Sequence, residues 1–295
     1  MSWRFLWTWP IAIVGTAIAA ARIGGLAAPA VDRYADMPAG KAENTNVDVE
    51  LVIAVDVSYS MDPDEQALQR EGYVTALTSL EFLNAVRSGM HGRVAVTYFE
   101  WAGVADQKVI MPWRLIDGPA TAKAVAEEIG AAPYRRAYRT SISGALLFAA
   151  PLFERSGYRG IRRVIDVSGD GSNNQGPPVA IVRDEVLTKG MTINGLPIML
   201  KQAMPGSLDL DDLDVYYEDC VIGGPGAFVV PIKEREQFKE ATRTKLVLEV
   251  AGLQPERSPA DAPSIMPASA ESPRISCTIG ERMWQQRWGA GRNYN

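Results

Sequence analysis

VDVELVIAVDVSYS, residues 47–60, opens with apolar residues on alternate positions (Val47, Val49, Leu51) and then runs apolar without a break to Val55. A short continuous run of this kind fits a central strand of a parallel sheet, covered on both faces. At its end the chain sets Asp56, Ser58 and Ser60 two positions apart, three oxygen side chains within five residues. Open parallel sheets bind ligands outside the carboxyl ends of their strands. These three residues are therefore the first candidates for a site.

Working outward, a helix is expected from about Asp64 to Arg87, entered through Asp62 and Pro63, with Tyr73, Leu77, Leu80 and Leu83 at helical spacing. GRVAVTYFEW (92–101) and QKVIMPWRLI (107–116) read as two strands joined by a short Gly-containing turn, antiparallel to each other. PATAKAVAEEIG starts with Pro and stops with Gly, the asymmetry of a short helix. The alternation then continues: helix SISGALLFAAPLF, strand RRVIDVSGDG, helix PPVAIVRDEVLTKG, strand MTINGLPIML, helix DLDDLDVYYEDC, strand GAFVVP and closing helix REQFKEATRTKLVLEVAG. Strands alternating with helices predict an α/β fold of the doubly wound, Rossmann-like kind: a mostly parallel sheet, one antiparallel edge strand, helices on both faces.

Two of these strands deliver acids to the same end of the sheet. The first ends at Asp56, and the strand at 162–168 runs into SGDG, which places Asp170 in the following turn. The loop before the helix at 141–153 delivers Thr140 between them in sequence. Two carboxylates and three hydroxyls are hard oxygen donors, suited to Mg²⁺ or Mn²⁺ rather than to zinc or copper.

These segments resemble the von Willebrand factor type A (VWA) family. DVSYS matches that family's D-x-S-x-S, TSISGAL is similar to its T-x-T-x-x-A-L with Ile142 at the second Thr, and VIDVSGDGSNN is similar to its strand ending in T-D-G, with one residue more before Asp170. LQREGYVTAL, VTYFEWAG, VIDVSGDGSNNQG and VIGGPGAFVVP resemble, more closely, a bacterial branch of the family catalogued only as a domain of unknown function. The resemblance implies a metal-ion-dependent adhesion site. Ser58, Ser60 and Thr140 would ligate Mg²⁺ directly or nearly so, Asp56 and Asp170 would act largely through water, and an Asp or Glu of a protein partner would complete the octahedron. Tyr138-Arg139 stands where the family has Gly-Gly before the Thr. With Arg135 and Arg136, Arg139 makes a basic loop that would favour an acidic partner or would simply be solvated.

The 295-residue chain is 47% apolar and 22% charged, with net charge −5. No basic stripe for nucleic acid is indicated by that balance. Arg4, an apolar stretch from Phe5 to Ala21 and AAPA at 27–30 read as an exported protein's signal peptide over residues 1–30, for a periplasmic or extracellular protein. An uncleaved membrane anchor is the alternative. Residues 31–46 read as a linker, 47–252 as the VWA-like domain, and 253–295, rich in Pro, Ser and Ala at its start, as a disordered tail. Cys220 and Cys277 are expected to be unpaired, because the tail around Cys277 shows no packing periodicity; an oxidising compartment would permit a bridge.

An enzyme is the rival class. A metal-assisted phosphoester hydrolase of the haloacid-dehalogenase kind wants a second Asp two residues after Asp56, and Ser58 holds that place. His91, the one histidine, sits in a predicted turn, away from any G-x-S-x-G nucleophile. GGPGAF (223–228) precedes a strand instead of following one, which is the wrong context for a phosphate loop. Glu100 and Trp101 read either as a functional rim or as a surface strand end. The expectation is a non-enzymatic binding module, with a hydrolase or a structural domain without metal as the alternatives.

Overall fold

A computed structural model of the chain describes residues 44–201, 208–252, 266–267 and 273–289. The expected leader at 1–30, and the linker as far as residue 43, lie outside the described residues. None of the described helices is long and apolar enough to cross a membrane.

The strands are β1 (Thr45–Asp56), β2 (Val94–Trp101), β3 (Gln107–Ile116), β4 (Tyr158–Gly169), β5 (Met191–Pro197), β6 (Phe228–Val229) and β7 (Met266–Pro267). They form one sheet in the order β3-β2-β1-β4-β5-β6-β7. β1 lies parallel between β2 and β4, with Ile53 opposite Tyr98 on one side and Asp166 on the other. β5 and β6 continue parallel, and the expected antiparallel edge strand is β3. The two-residue β7 adds a second antiparallel edge. The chain winds outward through β2 and β3, then returns to the far side of β1 as β4. That reversal makes the β1–β4 junction the switch point, where a crevice opens at the carboxyl ends.

The helices are α1 (Pro63–Leu77), α2 (Leu80–Ser88), α3 (Pro119–Gly130), α4 (Ile142–Ala149), α5 (Val179–Thr188), α6 (Leu213–Tyr216), α7 (Phe238–Ala251) and α8 (Ile279–Gly289). Val49, Leu51, Ile53 and Val55 of β1 share one buried core with Tyr73, Leu77, Phe82, Val125, Phe238 and Leu246 from α1, α2, α3 and α7. The alternate residues Val52 and Ala54 are equally buried, and strand periodicity turns them to the other face. Asp48 and Glu50, polar in the same strand, are buried too. Asp48 accepts the backbone N–H groups of His91 and Arg93, and Glu50 accepts that of Gly160 at 2.8 Å. They fasten neighbouring loops to β1.

The structure corrects several expectations. The single helix over 64–87 is two helices: Ser79 leaves the helical region (ψ 151°) and its hydroxyl caps α2 by accepting from Phe82 N. Leu80, counted as core by its spacing, is 74% exposed. Glu100 and Trp101 are neither rim nor surface; both are fully buried, and Glu100 is clamped by Arg70 (2.6 Å) and Arg135 (3.0 Å). Within the expected tail, residues 279–289 form α8.

The two cysteines are paired, contrary to the expectation of free thiols: Cys220 and Cys277 form a disulfide with Cα atoms 5.3 Å apart. Arg274 explains how the tail is brought in, since its guanidinium reaches Asp219 at 2.9 Å and Glu218 at 2.5 Å beside Cys220. The bridge closes a loop of 57 positions, for which the chain-entropy relation gives about 4 kcal/mol. The Cys220→Ser/Cys277→Ser double variant should lose that order of stability in urea unfolding. Identical midpoints for variant and wild type would show that the bridge adds nothing.

Candidate metal centre

Three loops meet at the carboxyl ends of β1 and β4. The first, after Asp56, turns sharply because Asp56 Oδ1 accepts the Ser58 N–H at 2.7 Å, folding the carboxylate back over its own loop. The second, ending at Thr140, is stitched to the first by backbone bonds from Tyr59 N to Ala137 O (2.9 Å) and Ala137 N to Val57 O (3.0 Å). The third, 170–175, is stitched to the second: Asn174 N donates to Thr140 O at 2.8 Å and Asn174 Oδ1 accepts Thr140 N at 3.0 Å. Asn173 Oδ1 accepts Ser143 N at the start of α4, and Gln175 Oε1 accepts Val104 N.

Four of the five expected site residues are joined through short hydrogen bonds. Ser58 Oγ and Ser60 Oγ are 2.7 Å apart, and Ser60 Oγ donates to Asp170 Oδ1 at 2.6 Å. The extra residue before Asp170 has not moved it out of reach. Thr140 is buried, and a Cβ at Gly171 would lie 3.7 Å from its hydroxyl. Gly169, the last residue of β4, has a specific reason to be glycine: a Cβ there would lie 2.8 Å from Asp56 Oδ2 and 3.1 Å from the Tyr217 hydroxyl.

The electrostatics suit a cation. Asp56, Ser58 and Asp170 are buried. Burial, and after it the facing Asp170, holds the Asp56 carboxyl well above the ordinary carboxylate range, against the pull of the Ser58 N–H. Burial also pushes Asp170 up to about 6, although Lys201 and Ser60 draw it down. Asp56 Oδ2 and the Tyr217 hydroxyl, both buried, have no hydrogen-bond partner among the described residues. Two carboxylates under mutual repulsion, an orphaned carboxylate oxygen and a cluster of hydroxyls fit a hard divalent ion such as Mg²⁺.

Sequence reasoning missed the residues that support this cluster. Lys201 Nζ reaches Asp170 Oδ2 at 3.1 Å and Glu65 Oε2 at 2.6 Å, and donates to the Ser60 carbonyl. Its signal was a lone lysine shortly after a parallel strand, at the end where ligands bind. Asn173, Asn174 and Gln175 appeared only within a quoted resemblance, without a role. At the rim, Tyr59 stacks on Tyr138 with ring centroids 4.4 Å apart, and Arg136 lies over Tyr59. Arg139 takes the left-handed conformation (φ 76°), and its guanidinium sits 3.3 Å from the Trp284 ring of α8. Of the basic loop, Arg135 is occupied by Glu100 and Asp106. Among the described residues, clusters of three or more His, Cys, Asp or Glu that would hold a metal are absent; this centre is built mainly of hydroxyls.

A doubly wound sheet in this order, with this constellation at its switch point, has the fold of a von Willebrand factor type A domain. The chain belongs to the family described as protein of unknown function DUF1194, whose model matches residues 46–254. No curated protein matches its sequence. Among solved structures, it is similar to proximal thread matrix protein 1 from the mussel byssus: 15% identity, TM-score 0.50, covering 71% of this chain and 49% of that one. It is also similar to the pilus adhesin SpaC from Lactobacillus rhamnosus GG: 12% identity, TM-score 0.50, covering 72% of this chain and 32% of that one. A von Willebrand factor type A protein from Catenulispora acidiphila matches at 16% identity and TM-score 0.47, over 70% of this chain and 43% of that one. The chain thus spans half or less of each, and the likeness to the thread matrix protein and the pilus adhesin, at such identities, speaks for the fold alone.

Proposed function

We propose that this protein is an exported, metal-ion-dependent protein-binding module that captures an acidic residue of a partner at a Mg²⁺ site made by Asp56, Ser58, Ser60, Thr140 and Asp170. The observation that carries the reading is the chain Ser58 Oγ–Ser60 Oγ–Asp170 Oδ1, at 2.7 and 2.6 Å, beside the partnerless Asp56 Oδ2. The directly ligating groups would be three neutral hydroxyls, with the two carboxylates acting largely through water, so a bound dication would keep a coordination place and field for one more carboxylate. Mn²⁺ has the same donor preference. Export rests on the apolar run and AAPA of residues 1–30. The mussel thread matrix protein and the pilus adhesin lend the adhesion-type reading coarse support.

The module is not an enzyme on this reading. Ser58 holds the position where phosphatase-type chemistry needs a second acid, and its hydroxyl is engaged by Ser60.

The test is crosslinked capture of partner protein from an envelope fraction by wild type and by Ser58→Ala, each with Mg²⁺ and with EDTA. Capture by wild type in Mg²⁺ alone, lost in Ser58→Ala and in Asp56→Ala, is the expected result. Equal capture in EDTA, or a metal response that survives Ser58→Ala, would sink the adhesion reading.

A further inference from the structure

Lys201 is not among the residues that the resemblance assigns to the site, yet it is in the site's charge system. Its ammonium touches Asp170 Oδ2 at 3.1 Å, on the carboxylate oxygen opposite the one that Ser60 Oγ holds. It is shared with Glu65 Oε2 at 2.6 Å and with the Ser60 carbonyl. Glu65 in turn is fixed as the N3 residue of α1: its carboxylate accepts Asp62 N at 2.7 Å while Asp62 Oδ1 accepts Glu65 N at 2.8 Å. Glu65 is 1% exposed and Asp170 7% exposed, so neither charge is well screened by water.

We propose that Lys201 is a built-in counter-ion that sets the charge balance of the metal centre, weakening its hold on the divalent cation and strengthening the loaded site's attraction for a partner's carboxylate. This rests on the metal reading of the same site. With Asp56, Asp170 and Glu65 ionised, the single ammonium leaves two net negative charges, and a divalent ion brings the centre to neutrality. Without Lys201 the loaded centre would keep one net negative charge and would repel an incoming carboxylate. The hydrogen bonds to Asp170 and Ser60 keep the ammonium on the far side of Asp170, where it opposes the ion through space without occupying the ion's place.

The test is isothermal titration of Mn²⁺ into the full chain as wild type, Lys201→Met, Lys201→Arg and Glu65→Gln, with thermal melts to establish that each is folded. Gln at position 65 preserves the capping box, which accepts Glu or Gln alike. Removal of the positive charge should tighten Mn²⁺ binding of order tenfold; Lys201→Arg should stay near wild type; Glu65→Gln should weaken it. A purely positioning role would instead loosen Asp170 and weaken binding in Lys201→Met as well. Weaker or unchanged binding in Lys201→Met, with Mn²⁺ still bound by wild type, overturns the proposal and leaves the metal reading standing. Folded wild type that binds no Mn²⁺ removes the metal reading, and the proposal goes with it.

Discussion

Lys245→Met should destabilise the fold by about 3–5 kcal/mol, the cost of leaving buried charge without its partner. The Lys245 ammonium is completely buried between α7 and the sheet, 2.5 Å from both Asp166 Oδ1 and Glu249 Oε1. Tyr73 donates to Asp166 at 3.2 Å and Asn194 Nδ2 donates to Glu249 at 3.0 Å, while Asn194 Oδ1 accepts Phe228 N. The network therefore fastens α1, α7, β4, β5 and β6 to one another through a single cation. Without it, two carboxyls face each other in the core. Burial, and then Asp166, already pushes Glu249 up to about 7 with Lys245 present, and burial raises Asp166 despite Lys245.

The sign of the pH dependence follows. Both carboxyls hold their protons longer folded than unfolded, so the stability they contribute is present below the unfolded values and is lost as pH rises through the folded ones. In Lys245→Met those folded values rise further, so the deficit should be smaller at pH 5.5 than at pH 8. Urea unfolding at the two pH values measures it. A loss under 1 kcal/mol at pH 8 would mean that water or the backbone compensates the pair. Replacing the whole triad, as Lys245→Met with Asp166→Asn and Glu249→Gln, should recover much of the loss, because buried ion groups are often dispensable together where they are not singly.

What was legible in the sequence divides along physical lines. β1 was legible because five apolar residues in a row leave few alternatives, and Asp56, Ser58, Ser60 and Asp170 because strand ends of a doubly wound sheet converge at the switch point. The break between α1 and α2 was hidden: Leu80 kept the helical period although it points to solvent, and Ser79's capping role looks like an ordinary helix serine. Lys201 was hidden because its place depends on β5 lying next to β4, which order along the chain does not state. The disulfide was hidden by a Pro- and Ser-rich approach to Cys277. A signal for order did exist there: Thr278-Ile279-Gly280-Glu281 has the spacing of a capping box. In the fold, Glu281 accepts Asn173 Nδ2 at 2.7 Å, and a Cβ at Gly280 would strike the Asn173 carbonyl. That close approach, with Trp284 against Arg139, sets α8 beside the loops of the candidate metal centre.

Asp170→Asn should make the metal-free protein more stable at pH 7.5, by about 2 kcal/mol, and at the same time abolish its stabilisation by Mg²⁺. Asp170 is buried opposite Asp56, and its folded pKa of about 6 lies above the ordinary aspartate value of 3.8. A raised carboxyl contributes stability below the unfolded value and loses it as pH climbs through the folded value. Near pH 4 wild type and variant should therefore be close, and by pH 7.5 the wild type carries the cost of an ionised, buried Asp170 facing Asp56. A divalent ion removes that cost for wild type alone. An ion at a hundredfold excess over its dissociation constant adds about 2.7 kcal/mol by mass action. On the metal reading, the function of the site would be written as instability of the empty fold, the usual relation between a prepared binding site and the scaffold that carries it. Thermal melts of wild type and Asp170→Asn at pH 4.5 and 7.5, each with Mg²⁺ and with EDTA, give the comparison directly. A wild type whose melting temperature ignores Mg²⁺ at pH 7.5, or an Asp170→Asn chain that responds to it equally, would show that these carboxylates hold no metal.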